Sequence, residues 1–583
     1  MALPKYIALV FALFVSHQCH VCQAEDGQVE SLLNEHWSWY LRQNPVFAGQ
    51  LGDRSGDGKL APASVANQIQ TAAKLNEFLA VARAIDQSGL TRNAELNLRI
   101  FIKFLEDEIA EFEHEAHLIP ITNRWGFHIY FAELHKRLPF KDVRDYESYI
   151  GRLEAFAKYA DEHMELLSLG IEKGRILPAI VLEGYEETIT SQIFDEGTRS
   201  PLYSPFTRMP ESIDSQARQA FAERGVKAIN DQVIPAYRRF LEFIEERYIP
   251  AATNTIGISA LPGGREFYRH RVRRFTTMDI TPEQVHEIGL KEVQRIRSEM
   301  ENIPRKLKFE GDFAAFLHYL RTDPKFYASD AESYKKEVTY ILKKMDGKLP
   351  QLFGKLPRTP YGIKEIPAYI APKTTAAYYQ PPSGDGKIAG FYFINTYNLK
   401  SRPLYQLEAL SLHEAVPGHH LQLALQQELE GMPEFRKYNG FTAFIEGWGL
   451  YSERLGLETG FYQDPYSDFG RLSYEMWRAC RLVVDTGIHY LGWTREQAIA
   501  FMSENTALSR HNIVAEIDRY ISWPGQALAY KMGELKIREL RELAERRLGD
   551  QFDVRKFHDV VLGSGAVPME ILDANVIRYL EQQ

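Results

Sequence analysis

The chain has 583 residues, 45% of them hydrophobic and 25% charged, with a formal net charge of −9. This is the composition of a soluble globular chain, long enough for two to four ordinary domains or one large helical enzyme. The acidic balance excludes broad nucleic-acid binding, which needs a dense basic patch.

The N-terminus reads as a secretory signal peptide. Lys5 precedes an apolar run from Tyr6 to Val15, and Ala24 stands just before acidic Glu25-Asp26. Cleavage after Ala24 is expected, with residues 25–583 as the mature chain and a periplasmic or secreted location. A lipidated Cys19 or Cys22 fits less well, because neither follows the usual small-residue pattern. Both leave with the signal peptide, so the mature chain keeps Cys480 alone and has no internal disulfide. Cys480 lies in the apolar helical run "MWRACRLVVD" and reads as a buried structural thiol. No later segment is apolar enough to span a membrane.

Most of the mature chain has helical periodicity. Residues 96–117, "LNLRIFIKFLEDEIAEFEHEAH", carry apolar residues at three- and four-residue steps. The runs "AIVLEGYEETITSQIF" and "DQVIPAYRRFLEFIEERYI" continue the theme. Thr281-Pro282-Glu283 opens another helix with an N-cap and a first-turn proline. The pattern breaks between Gly362 and Asn398. There the short β-rich runs "IPAYI", "AAYYQ" and "GFYFINTY" are separated by proline and glycine, with "SGDG" as a hairpin signal. A small two- or three-stranded sheet is expected, with an edge strand to which an extended peptide can pair.

The chemistry concentrates in "LSLHEAVPGHHLQL", Leu410 to Leu423. His413-Glu414 opens like the zinc-peptidase motif His-Glu-x-x-His, but Pro417 stands where the second histidine belongs. The next histidines are His419 and His420. On an unbroken helix His413 and His420 would share a face but stand about 10 Å apart along the axis. His413 and His419 would not share a face. A kink at Val416-Pro417-Gly418, with Gly418 at positive φ, is therefore expected to shorten the separation. Excising Val-Pro-Gly restores a four-residue spacing from His413 and favours His420 as the second ligand, with His419 as the alternative. Glu446, in "TAFIEGWGLYSERLGLE", is the candidate third ligand, and Glu414 the general base. A donor for the developing oxyanion is sought in "EIDRYISWPGQALAYKMGELKI", where Tyr530 and Arg519 are the candidates, with Tyr520 beside them. Asp485 and His489, four apart in "VVDTGIHYLGW", read as a helix pair or as outer support of the site.

"LHEAVPGHHLQ", "EGWGLYSERLG", "RLVVDTGIHYLGWTREQA" and "DRYISWPGQALAYKMGELKI" resemble the bacterial domain-of-unknown-function 885 family, as do "FTTMDITPEQVHEIGLKEVQRIRSEM" and "AYYQPPSGDGKIAGFYFINT". The likeness is strongest from about Arg265 to Leu540. That family is grouped with gluzincin-type zinc peptidases and is distantly similar to helical oligopeptidases and to carboxypeptidases of the Taq and angiotensin-converting types. The resemblance implies a mainly helical, two-lobed fold with a central cleft and a small sheet beside the active-site helix. It implies one Zn2+ per chain on His413, one of His419 and His420, and Glu446, with Glu414 as base and a peptide as substrate. Arg519 or Arg478 is the expected anchor for a C-terminal carboxylate. The rival readings are a zinc hydrolase of another amide and a periplasmic peptide-binding protein that has lost catalysis.

Overall fold

A proline in a helix removes one hydrogen bond and collides with the carbonyl four residues back, and two such prolines shape the N-terminal half. The structure, a computed structural model, describes residues 25–368, 371, 374–383 and 388–583. The expected signal peptide and the Gly384–Gly386 part of the hairpin signal lie outside the described residues. In the run around "DQVIPAYRRFLEFIEERYI", wide π-turns at Ile229–Val233 and Ile244–Tyr248 stand just ahead of Pro235 and Pro250. Each wide turn makes room for a proline ring, so the helix continues rather than ending. "AIVLEGYEETITSQIF" is a correction to the helical reading. It forms a 3-10 turn at Ala179–Leu182 and one α-turn at Glu187–Thr190, separated by Gly184 at φ +69°.

The described chain is mainly helical and divides into two compact units. One runs to Ile256 and adds Ala260–Gly263 and Pro433–Phe435. Its long helices are Val65–Ala84, Arg92–Glu113 and Val143–Glu172. They enclose buried Leu98, Phe101 and Leu105 and, separately, Tyr149, Leu153 and Phe156. The other unit holds Gly257–Ser259, Gly264–Met432 and Arg436–Gln583 and carries every candidate site residue.

In that second unit, helix α1 (Pro282–Lys306) starts as read, with Thr281 and Gln284 closing a capping box. The sheet follows: β1 (Tyr361–Glu365), β2 (Ala377–Gln380) and β3 (Gly390–Ile394). β3 is central, parallel to β1 and antiparallel to β2. The strand expected at "IPAYI" begins earlier, at "YGIKE", because Pro367 cannot donate to a ladder. Helices α2 (Leu407–Glu414), α3 (His419–Gln427), α4 (Thr442–Leu455), α5 (Pro465–His489), α6 (Arg510–Ser522) and α7 (Ala529–Leu548) complete the part that matters here.

α5 is the spine of the unit and is buried almost throughout, including Cys480. α1 lies against it at Gly289, where a Cβ would fall 2.7 Å from the Leu482 side chain. α4 and α7 cross at a pair of glycines: a Cβ on Gly447 would fall 2.5 Å from the Gly533 backbone. That crossing brings the start of α7 beside Glu446 on α4.

α5 also carries a buried polar stripe at three- and four-residue steps: Arg471, Glu475, Arg478, Arg481, Asp485 and His489. Such a stripe is tolerated only if each charge meets a partner. Lys531 of α7, fully buried, meets Glu475 and Glu534 at 2.8 Å and Glu292 of α1 at 3.0 Å. Arg295 of α1 joins Glu475 as well. The cluster ties α1, α5 and α7 together. Burial opposes the charge on Glu475, yet Lys531 and Arg295 outweigh it and hold the carboxyl well below the usual range.

Two outcomes are expected. Lys531→Met removes the one cation shared by Glu292, Glu475 and Glu534, leaves their negative charge only partly compensated by the neighbouring arginines, and costs about 3 kcal/mol, read as a fall in the thermal midpoint. The folded pKa of Glu475 lies below its unfolded value, so its stabilisation is present above the unfolded range, about pH 4.3, and is lost as pH falls through and below it. Glu475→Gln therefore flattens the acid limb of the midpoint-versus-pH curve, and an unchanged acid limb would remove Glu475 from this role.

Candidate metal centre

α2 ends at Glu414, and Ala415 leaves the helix at φ −112°, ψ −98°. The Val416-Pro417 peptide is cis, and α3 begins afresh at His419. Gly418 has φ −77°, ψ −127°, so the expected positive φ is not what glycine supplies here. What it supplies is space: a Cβ would fall 1.8 Å from the His413 carbonyl oxygen. The break frees backbone groups, and these find partners. His420 N–H donates to Ala415 O at 2.9 Å, and Trp448 Nε1–H of α4 donates to Pro417 O at 2.9 Å. The turn between the two histidines is thereby fastened to the helix that carries Glu446.

The consequence is a convergence that an unbroken helix forbids. Nε2 of His413 and Nε2 of His419 each lie 3.5 Å from Oε2 of Glu446. The two rings stand 4.8 Å apart, centre to centre, and nearly perpendicular. His413 is 3% exposed and His419 8%. One donor atom from each of His413, His419 and Glu446 lies within 4.8 Å of the other two. Gly449, one turn beyond Glu446, permits this approach, since a Cβ there would sit 2.7 Å from His413 Nε2.

His420 does not join the group. Its Nδ1 pairs with the Tyr379 hydroxyl of β2 at 2.8 Å, and its ring lies 4.7 Å from that of Tyr361 of β1. Burial lowers its pKa to about 4. The four-residue spacing argument failed because it treated Val416-Pro417-Gly418 as an insertion in one helix. The chain instead stops one helix and starts another, and the first residue of the new helix, His419, is the one turned toward Glu446.

Glu453 is a residue the sequence reading did not single out in this role. Its Oε1 lies 2.8 Å from His413 Nδ1 and 3.2 Å from an Arg478 guanidinium nitrogen. Glu446 and Glu453 are seven residues apart on α4 and grip opposite nitrogens of one imidazole. The seven-residue spacing was the available signal. Burial opposes a charge on His413, but the hydrogen bonds to Glu446 and Glu453 raise its pKa to about 9. On Glu446 burial acts upward and is outweighed by His413 and His419, which hold it well below the usual range. Glu414, beside His413 and half-buried, is shifted up, first by burial and further by the charge of Glu446, against the pull of His413 and His419.

Tyr530, the second residue of α7, sits within electrostatic reach of Glu446, and burial with that charge raises its phenol. The Arg481 guanidinium lies 4.3 Å above its ring. Arg519 donates to Gln526 at 2.7 Å and to Glu516 at 3.0 Å, and its charge also reaches Tyr530. Tyr520 is committed to Glu516 at 2.7 Å and to Arg481 at 2.8 Å. Asp485 and His489 do not pair with each other. Asp485 accepts from the Tyr268 hydroxyl at 2.6 Å and from Gly525 N–H at 3.1 Å, bracing the Pro524-Gly525 turn ahead of α7. His489 accepts from Ile258 N–H at 3.1 Å and lies 2.9 Å from Tyr520 O.

Similar structures exist. A crystal structure described as the putative lipoprotein from Colwellia psychrerythraea is 29% identical, with a TM-score of 0.90, covering 96% of this chain and 100% of its own. A structure described as a putative lipoprotein of unknown function from Shewanella oneidensis is 19% identical, with a TM-score of 0.73 over 94% of this chain and 99% of its own. It shares the fold. No curated protein matches the chain. The family model for bacterial proteins of unknown function, DUF885, matches residues 45–576, and the chain belongs to that family.

Proposed function

We propose that the protein is an exported zinc-dependent metallopeptidase that hydrolyses oligopeptides, of gluzincin-like character. The observation that carries this reading is the convergence of two imidazoles and one carboxylate with a buried-shifted glutamate next to the first histidine. Two His and one Glu form a donor set used at catalytic zinc sites, which keep a fourth position open. The 3.5 Å from each Nε2 to Glu446 Oε2 suits donors arranged around one ion. The Glu453 carboxylate on Nδ1 of His413 leaves Nε2 free to ligate.

When bound, zinc supplies Lewis acidity to a water and to the scissile carbonyl. Glu414 takes the proton of the attacking water and passes it to the departing amine. Its upward shift brings its basicity closer to that task. Tyr530, its phenol kept protonated, donates to the carbonyl oxygen as negative charge develops there. Arg481 over its ring and Arg519 through Gln526 keep that end of α7 in place. β2 is an edge strand, and its Tyr379 reaches His420 beside His419, so an extended peptide pairing along β2 would pass close to the centre. Glu414 next to His413 argues against a purely binding role. The N-terminal sequence and the lipoprotein descriptions of the similar structures support export.

Glu414→Gln is expected to lower peptide hydrolysis by about 10²–10⁴-fold while zinc content stays at the wild-type level. Turnover of a peptide library by mass spectrometry beside metal analysis checks this, and an unchanged rate would end the assigned mechanism. Glu453→Gln should weaken zinc binding by about 10–100-fold, measured by competition with a chelator. Wild-type affinity in that variant would reduce Glu453 to a packing residue.

A further inference from the structure

His420 is turned away from the metal centre, yet it is the chain neighbour of His419. Its ring joins α3 to both edge strands of the sheet. Nδ1 pairs with the Tyr379 hydroxyl of β2 at 2.8 Å, and the ring lies 4.7 Å from that of Tyr361 of β1, whose hydroxyl donates to Asp346 at 2.8 Å. His420 is buried. Gly390 of β3 makes the slot for the pair: a Cβ there would fall 2.0 Å from the Tyr379 hydroxyl oxygen and 3.1 Å from His420 Nδ1. β2 is thereby fastened to the helix that carries His419.

The register shows which backbone groups of β2 are open. In an antiparallel pair, opposed residues alternate between those that exchange hydrogen bonds and those that turn their backbone groups outward. Asn395 N–H donates to Ala376 O at 3.0 Å, just beyond the strand ends, and the same register runs on from Ala377 opposite Ile394 to Gln380 opposite Phe391. Tyr378 therefore bonds across to Phe393, while Ala377 and Tyr379 turn their N–H and C=O groups to the open edge. The Ala377 carbonyl is taken by the Thr375 hydroxyl at 3.0 Å. The N–H and C=O of Tyr379 face a side on which no described strand lies. The residue whose side chain is clipped to His420 is thus the one whose backbone is open to a further strand.

We propose that an extended peptide substrate pairs with the backbone of Tyr379, and that His420 is the positioning residue that holds this pairing beside the metal centre. This rests on the peptidase reading and deepens it. A loose strand can pair with a peptide, and the centre can take its carbonyl, but both at once require a fixed spacing. The Tyr379–His420 bond sets that spacing through the single peptide unit between His420 and His419. The substrate class is a peptide that reaches β2 in extended form with its own backbone groups free.

The test uses one extended peptide and a set of variants, each N-methylated at a single amide. In the wild type, methylation at one amide other than the scissile one should lower kcat/KM about 3–10-fold, the range of one neutral hydrogen bond. Tyr379→Phe, which removes a single oxygen, should bring that penalty near one while zinc content stays unchanged. His420→Ala should do the same, and the two together should do no more. His420→Asn, which keeps a polar atom near the place of Nδ1, should restore part of the penalty. A merely structural role would lower all the rates together and leave the penalty as it was. The same peptides bound to the zinc-loaded Glu414→Gln protein in a calorimeter should show the penalty in Kd, lost in the same way when Tyr379→Phe is added. Tyr379→Phe and His420→Asn carry these readouts if His420→Ala does not fold. Indifference to methylation at every amide, or a penalty that survives Tyr379→Phe, would overturn the assignment. No cleavage of any peptide by the wild type would overturn the peptidase reading instead, and the Kd penalty would still decide on Tyr379 and His420.

Discussion

The convergence at this centre depends on a helix that stops. Six residues separate His413 from His419, and a continuous α-helix would point them in different directions. Ending α2 at Glu414 and restarting α3 at His419 resets the rotation. Each element of the break has a physical duty. Pro417 cannot continue the hydrogen-bond ladder. Gly418 leaves room for the His413 carbonyl. Trp448 donates its indole N–H to the Pro417 carbonyl and so fastens the turn to α4. Because Trp448 is two residues from Glu446, the same contact that secures the break also sets the third donor against the two histidines.

The surrounding unit is organised by burial of charge rather than its avoidance. Buried ion pairs are weak evidence for stability, since desolvation offsets much of the Coulomb gain. Their value here is positional. Arg478 on Glu453, and Glu453 on His413, orient the imidazole from behind. Arg481, Arg519, Tyr520 and Glu516 form a second network that ends at Tyr530. The Lys531 cluster fixes the helices that carry both networks.

Much of this was legible in the sequence where local rules operate. The Thr281 cap, the long amphipathic helices and the β-rich character of "AAYYQ" and "GFYFIN" follow from propensity and period. His413 and Glu446, which the structure brings together, were readable as residue types that can share a metal ion. The choice between His419 and His420 was not. It depends on the path of four residues, Ala415 to Gly418, between helices, and counting residues along one helix selects His420, whereas the ring turned toward Glu446 is that of His419. The Glu446-to-Glu453 pattern was visible, but that Glu453 acts through the far nitrogen of His413 was not. The Pro235 and Pro250 helix survives through wide turns that no periodicity reveals.

The central claim is that the break delivers His419, not His420, to a metal shared with His413 and Glu446. Zinc content per purified chain, measured for the wild type, His419→Ala and His420→Ala, tests it most directly. About one equivalent in the wild type, kept in His420→Ala and lost in His419→Ala, is the expected result. Zinc retained in His419→Ala but lost in His420→Ala, or absent from the wild type after growth in zinc, would contradict it.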